Sequence, residues 1–256
     1  MSEFQGERIA KVIARAGLCS RRDAERLIGD ARVTLNGKTL RTAAINVTAQ
    51  DLIRVDGRLL PQKLEAQLWR YHKPAGLVVS HKDPEGRVTV FEKLREQLPR
   101  VVSIGRLDLN TEGLLLLTND GELARFLELP STGWIRRYRV RAYGKVDDAI
   151  LAKIAKGVEI EGVRYGPVEA KIDQVQGDNV WLSFAIKEGK NREVKKLCEY
   201  LGLKVNRLIR VSFGPFVLGE LARGGIEEVP PKVLREQFGP KFKESHADRR
   251  RKIQKS

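Results

Sequence analysis

Four consecutive leucines, Leu114–Leu117, constrain this chain more than any other stretch. A run with no polar face has to be covered on both sides. Gly113 before it and Asn119-Asp120-Gly121 after it leave too little room for a helix. The spacing therefore predicts a core strand closed by a turn. Directly upstream lie Arg106, Asp108 and a polar Asn110-Thr111-Glu112-Gly113 turn signal. By itself Asp108 reads either as a turn residue or as a carboxylate presented by a rigid strand, and its immediate neighbours leave both open.

The 256 residues, with 41% hydrophobic and 32% charged, suffice for one large or two medium domains with their own cores. No apolar run reaches the length of a membrane helix, and the start lacks an apolar signal core, so a cytoplasmic protein is expected. Cys19 and Cys198 are far apart, and His72, His81 and His246 have no ligand spacing; neither a disulfide framework nor a metal site is implied. Gly189-Lys190 lacks the upstream glycine and the following Ser or Thr of a phosphate loop, and no dinucleotide fingerprint is present. No cofactor is expected.

The net charge of +15 points to a polyanionic partner. Residues 1–63, 64–240 and 241–256 each carry an excess of five positive charges, so the excess is densest at the ends. That distribution predicts a basic N-terminal module, a nearly balanced body and a short cationic tail. The tail, poor in apolar residues, reads equally as a disordered phosphate-binding arm and as a solubilising extension.

In the module, Ile9, Val12, Ile13 and Ala16 share a helical face ended by Gly17, while Arg8, Lys11 and Arg15 share another. Ser20 and Asp23 resemble a capping box opening a second helix, with Ala24, Leu27 and Ile28 inward. Arg21 and Arg22 then fall in its first turn, against the helix dipole, a placement that makes sense if an anion docks there. Asn36-Gly37 and Asp56-Gly57 are hairpin signals.

In the body, the sequence predicts a strand ending at a Lys73–Gly76 turn, a second strand, a turn at Asp83–Gly86 and a short helix from about Val90. Tyr138, Val140 and Ala142 alternate with arginines, giving a half-buried strand with a cationic outer face. A helix closed by Gly157 and two further strands follow. Val194, Leu197, Cys198 and Leu201 then form a helical face ended by Gly202, with Lys190, Arg192, Lys195 and Lys196 crowding its start, before a last strand at 205–211. Strands and helices in mixed order without βαβ repetition favour an α+β, mainly antiparallel sheet.

The stretch "RIAKVIARAGLCSRRDAERLI" with "VTLNGKTL" resembles the S4-type RNA-binding domain over the first sixty residues. "YHKPAG" at 71–76, "GRLDLNTEGLLLLTNDGELA" at 105–124, "RRYRVRAYG" at 136–144 and "EGKNREVKKLCEYLG" at 188–202 resemble the pseudouridine synthases. Within them the match is to the RsuA/RluB-like bacterial ribosomal RNA enzymes, nearer the RluB-like branch. The resemblance implies an S4-like domain over 1–63, a mixed, mainly antiparallel synthase domain over 64–240 and a basic tail over 241–256.

It also implies isomerisation of a uridine in large-subunit ribosomal RNA without metal or cofactor. Ribosomal RNA in an assembly intermediate is the expected partner, and a monomer is the simpler expectation for an enzyme working on large RNA. Small-subunit RNA, or a non-catalytic assembly factor, is the alternative. The same resemblance assigns Asp108 as the catalytic carboxylate, Lys195 as its cationic partner and Tyr138 as the ring stacking on the base. Leu197 becomes the apolar residue near that base, and Arg106 the side chain that enters the gap left by the extruded nucleotide. Asn191, Arg192, Arg8, Lys11, Arg15, Arg21 and Arg22 are the further RNA contacts.

Overall fold

The computed structural model describes residues 6–61 and 65–244. The N-terminal module comprises β1 (Glu7–Arg8), α1 (Ile9–Arg15), α2 (Arg21–Gly29), β2 (Val33–Leu35), β3 (Lys38–Thr39), β4 (Asn46–Val47), β5 (Ile53–Val55) and β6 (Arg58–Leu59). Ile9, Ala10, Ile13, Ala24, Ile28 and Val33 close its core. Gly17 adopts the left-handed conformation expected of a helix stop, with φ 82°. Asn36-Gly37 and Asp56-Gly57 have positive φ throughout and turn the β2–β3 and β5–β6 hairpins, as type I′ geometry requires. Ser20 accepts from the Asp23 N–H at 3.0 Å, so α2 starts where the capping signal placed it.

The body adds β7 (Leu68–Lys73), α3 (Val90–Lys93), β8 (Val102–Ile104), β9 (Thr111–Thr118), α4 (Gly121–Glu128), β10 (Arg136–Tyr143) and α5 (Asp148–Ala155). It continues with β11 (Val158–Ile160), β12 (Val163–Tyr165), β13 (Glu169–Gln176), β14 (Asn179–Ile186), α6 (Glu193–Tyr200), β15 (Lys204–Phe213), β16 (Phe216–Val217), β17 (Ile226–Glu228) and α7 (Pro231–Glu244). A nine-stranded sheet runs β13-β14-β10-β15-β9-β7-β17, with β16 on β15 and β8 on β9. Only β15–β9 is parallel among these pairs. The fold is α+β with a mixed, mainly antiparallel sheet.

All eight residues of β9 are buried. Leu114 and Leu116 face a core shared with α4 and α7, while Leu115 and Leu117 face one shared with α3. A run apolar on both faces is what a strand between two layers needs. Strand β7 pairs along one edge of β9; β15 pairs with the start of the other edge and β8 with its end. The β8–β9 loop, 105–110, therefore emerges beside the parallel junction. On the far side of the sheet, Tyr138, Val140, Leu182, Phe184 and Leu208 pack under α5 and α6.

Four local expectations differ from the structure. Thr111, Glu112 and Gly113 are not a turn but the first residues of β9. Asp120 does not simply turn the chain: its carboxylate accepts from the N–H groups of Glu122 and Leu123 and caps α4, an element the hydrophobic run overshadowed. The second strand after Gly76 is reduced to a single Val78–Thr89 bridge. The segment from residue 241 begins inside α7, kinked at Gly239, so helix continues past the expected end of the body; residues 245–256 lie outside the described residues.

Candidate active site

Asp108 sits at the turn that carries the β8–β9 loop into β9, where the Thr111 N–H donates to the Asp108 carbonyl at 3.0 Å. Its carboxylate Oδ2 is 2.9 Å from Nζ of Lys195, on the first turn of α6. The pair bridges 87 residues of sequence across a cleft of about 1280 Å³. Arg106, Tyr138, Asn191 and Arg192 line the same cleft. The Asp108 side chain keeps 36% of its surface exposed and that of Lys195 16%, so the carboxylate stands at the cleft wall rather than sealed behind it.

A residue the sequence reading passed over holds this geometry. Lys73, fully buried at the end of β7, donates from Nζ to the carbonyls of Pro74, Asp108, Leu109 and Thr111 at 3.0–3.2 Å. The Gly76 N–H adds a bond to the Leu109 carbonyl at 2.8 Å. One ammonium thus ties the turn after β7 to both ends of the Asp108 turn. Burial pushes the Lys73 ammonium down to about 8, the nearby Lys195 acting in the same direction and Asp108 and Glu112 opposing them. The available signal was a lysine ending the strand Leu68–Lys73, on the same face as Trp69 and Tyr71, immediately before a Pro-Ala-Gly turn.

The opposite wall is similarly braced. Arg192 enters α6 in a left-handed conformation (φ 52°), and the buried Glu193 carboxylate accepts the Lys190 N–H at 2.9 Å, folding the basic turn back on itself. Burial raises the pKa of Glu193 against that hydrogen bond. Arg136 and Arg210 both place their guanidinium groups over the Phe213 ring, 4.6 and 5.3 Å from its centroid. Arg136 also donates to the Trp134 and Lys187 carbonyls, and Arg210 to the Leu114 carbonyl. Neither was singled out from the sequence, because arginines inside strands resemble surface charge.

The remaining expected residues divide. Arg106 is exposed at the cleft edge and Tyr138 buried in its wall. Leu197 is wholly enclosed in the core cluster that includes Tyr138 and does not line the cleft; Val194, one turn earlier, does. Arg8, Arg21 and Arg22 are exposed on the module, with Arg21 loosely paired to Glu25 at 3.4 Å. Lys11 and Arg15 are not free cations. Both pair with Glu7 and with Glu122 of α4, which spends their charge on the contact between module and body.

Residues 67–200 match the family described as RNA pseudouridylate synthase, and residues 7–53 match the S4 domain. The chain belongs to the RNA pseudouridine synthase family. An uncharacterised RNA pseudouridine synthase of Rickettsia felis is 50% identical over 228 residues, 89% of this chain and 99% of that protein. The ribosomal large subunit pseudouridine synthase B of Haemophilus influenzae is 43% identical over 232 residues, 88% of this chain but 65% of that longer protein. A crystal structure of a pseudouridylate synthase superposes with a TM-score of 0.64 at 28% identity, covering 90% of this chain and 98% of that one. This synthase is thus an RNA-acting isomerase with an S4 module ahead of its catalytic sheet.

Proposed function

We propose that this RNA pseudouridine synthase isomerises a uridine of large-subunit ribosomal RNA, with Asp108 as the reacting carboxylate. The observation that carries the assignment is the 2.9 Å Asp108–Lys195 pair in a cleft walled by Tyr138. In the isomerisation the N1–C1′ bond breaks, the uracil turns, C5 bonds to C1′, the C5 proton leaves and N1 takes up a proton. A carboxylate promotes this by attacking as a nucleophile or by removing a sugar proton, and both roles need it ionised and fixed. Lys195 supplies a point charge for the first need, and the Lys73 carbonyl clamp meets the second.

Tyr138 offers its ring to the uracil and its hydroxyl to proton transfer. Chemistry on a stacked base requires extrusion at about a few kcal/mol, and Arg106, exposed two residues before Asp108, is placed to fill the gap. The large-subunit reading draws support from the similarity to the Haemophilus influenzae protein, and the S4 module supports an RNA substrate. Mapping pseudouridines in ribosomal RNA from cells with the wild-type protein, without it, and with Asp108→Asn tests both parts. A large-subunit site missing from both deficient strains is expected. A missing small-subunit site would retain the chemistry and reject the target, and intact modification with Asp108→Asn would reject the catalyst.

A further inference from the structure

The sheet is covered unequally. On the face bearing Tyr138 and Val140, α5 and α6 close over the β13-β14-β10-β15 half. On the other face, α4 and α7 cover only the β9–β7 half, and the cover reaches as far as the partly buried Ile209. Beyond it, β10 presents Arg137, Arg139, Arg141 and Tyr143, all exposed, from positions alternating with the buried Arg136, Tyr138, Val140 and Ala142. The register extends this surface. Arg139 lies opposite Ser183 and Arg141 opposite Trp181 on β14, Lys171 of β13 opposite Ser183, and Lys204 and Arg207 of β15 opposite Tyr143 and Arg141.

The carboxylates of this face do not balance it. Glu112 is engaged bidentately by Arg207 at 2.8 and 3.0 Å, Asp173 accepts from Ser183 and meets Arg139 only at 3.9 Å, and Glu169, across Ala185 from Arg137, forms no ion pair with it. Among the described residues, Arg137, Arg141, Lys171 and Lys204 make no ion pair. The Arg139 guanidinium lies over the Trp181 ring at 4.8 Å, which holds one cation flat against the sheet. Like charges on neighbouring strands repel, so a row of arginines on an uncovered sheet is an unfavourable arrangement without an anionic partner.

We propose that this open half-sheet, on the face opposite Tyr138, is a second RNA-docking surface that takes the sugar-phosphate backbone of RNA beyond the target nucleotide. Its chemistry suits phosphate: forked guanidinium donors, hydroxyl and amide groups at Ser183, Asn179 and Asn206, and few competing carboxylates. It lies on the same strand as Tyr138, so a long substrate engaged there and at the cleft grips both faces of β10. Contacts of this kind add affinity without sequence preference and make it salt-dependent.

The test is filter binding of the full chain to a full-length large-subunit ribosomal RNA transcript across a salt series, which needs no knowledge of the modified uridine. The Arg137→Gln/Arg139→Gln/Arg141→Gln variant is expected to flatten the slope of log affinity against log salt by roughly 2–3, since each lost phosphate contact removes slightly less than one unit. Replacing the same three residues by Lys should retain the wild-type slope. A matched Lys145→Gln/Lys153→Gln/Lys156→Gln variant, removing equal charge from the exposed surface around α5, should leave it unchanged. An unchanged slope in the arginine-to-Gln variant overturns the proposal and leaves the face to an acidic protein. So does a Lys variant as weak as the Gln variant, or an equal loss in the matched control. Turnover of the target uridine is a separate readout, so failure here leaves the Asp108 assignment standing.

Discussion

Lys73 is expected to tie turnover to pH through a group that does not line the cleft. Burial, the main cause, pushes its pKa down from the ordinary lysine value of 10.5 to about 8. Above pH 8 the folded chain loses the ammonium and with it a donor among four carbonyls, so turnover is expected to fall with a midpoint near 8. Stability moves the other way: between 8 and 10.5 the unfolded chain binds that proton more tightly than the folded one, so this group makes unfolding costlier as pH rises. A kcat profile measured beside thermal unfolding checks this; an activity loss matched by a falling Tm would reject the local cause. At the other pole, Lys195→Met should lower kcat by roughly 10²-fold or more while Lys195→Arg retains part of it, because charge facing Asp108 is what counts. Steady-state kinetics on an RNA transcript read out both. Asp108 and Lys195 became legible only through a resemblance, because composition cannot say that residues 87 apart meet. The Lys73 clamp was illegible because its acceptors are backbone carbonyls, which carry no sequence signature.

At the level of elements, the parallel β9–β15 junction depends on Gly113. Its φ is 100°, and a Cβ there would meet the Arg210 carbonyl oxygen at 2.3 Å, a backbone atom that cannot swing aside. Gly113→Ala is expected to cost about 2–4 kcal/mol through strain and overpacking, measured by urea unfolding. It should also lower turnover, because the shifted strand carries the Asp108 turn; unchanged stability would mean the strands part freely. The same glycine shows how the sequence misled. Read as the boundary of the leucine run, it is inside the strand, since close packing, not chain reversal, is what demands it. Strands with strict alternation, as at Tyr138–Ala142, and helices with full apolar faces, as at Val194–Leu201, were readable because burial acts on one face. The helix α4 was missed although Asp120, Leu123, Ala124 and Leu127 supply a cap and an apolar face, because Asn-Asp-Gly after a strand is also a turn signal.

For the molecule as a whole, the question is what orients the S4 module. Burial alone would raise the Glu7 carboxyl, but its bonds to Arg15 and Lys11 prevail and hold it near 2. That depressed value stabilises the fold above the ordinary carboxylate range, and the contribution is lost as pH falls from 4.5 toward 2. The same two cations reach Glu122 at the start of α4, directly after the leucine strand. The contact is therefore mounted on the scaffold that carries the Asp108 turn, so the module's bearing on RNA is set relative to that turn. Three of the side chains are long and partly exposed, so the pairs themselves add little stability, on the order of 1 kcal/mol or less each. Glu122→Lys should accordingly leave Tm nearly unchanged yet repel Lys11 and Arg15 and swing the module away. Small-angle scattering of the free chain should show a larger radius of gyration for the variant. The difference should shrink at high salt as the introduced repulsion is screened, since the Debye length falls to about 3 Å at 1 M. Identical scattering from the two proteins would mean that apolar contacts or the connecting segment, not this ion-pair cluster, hold the module in place.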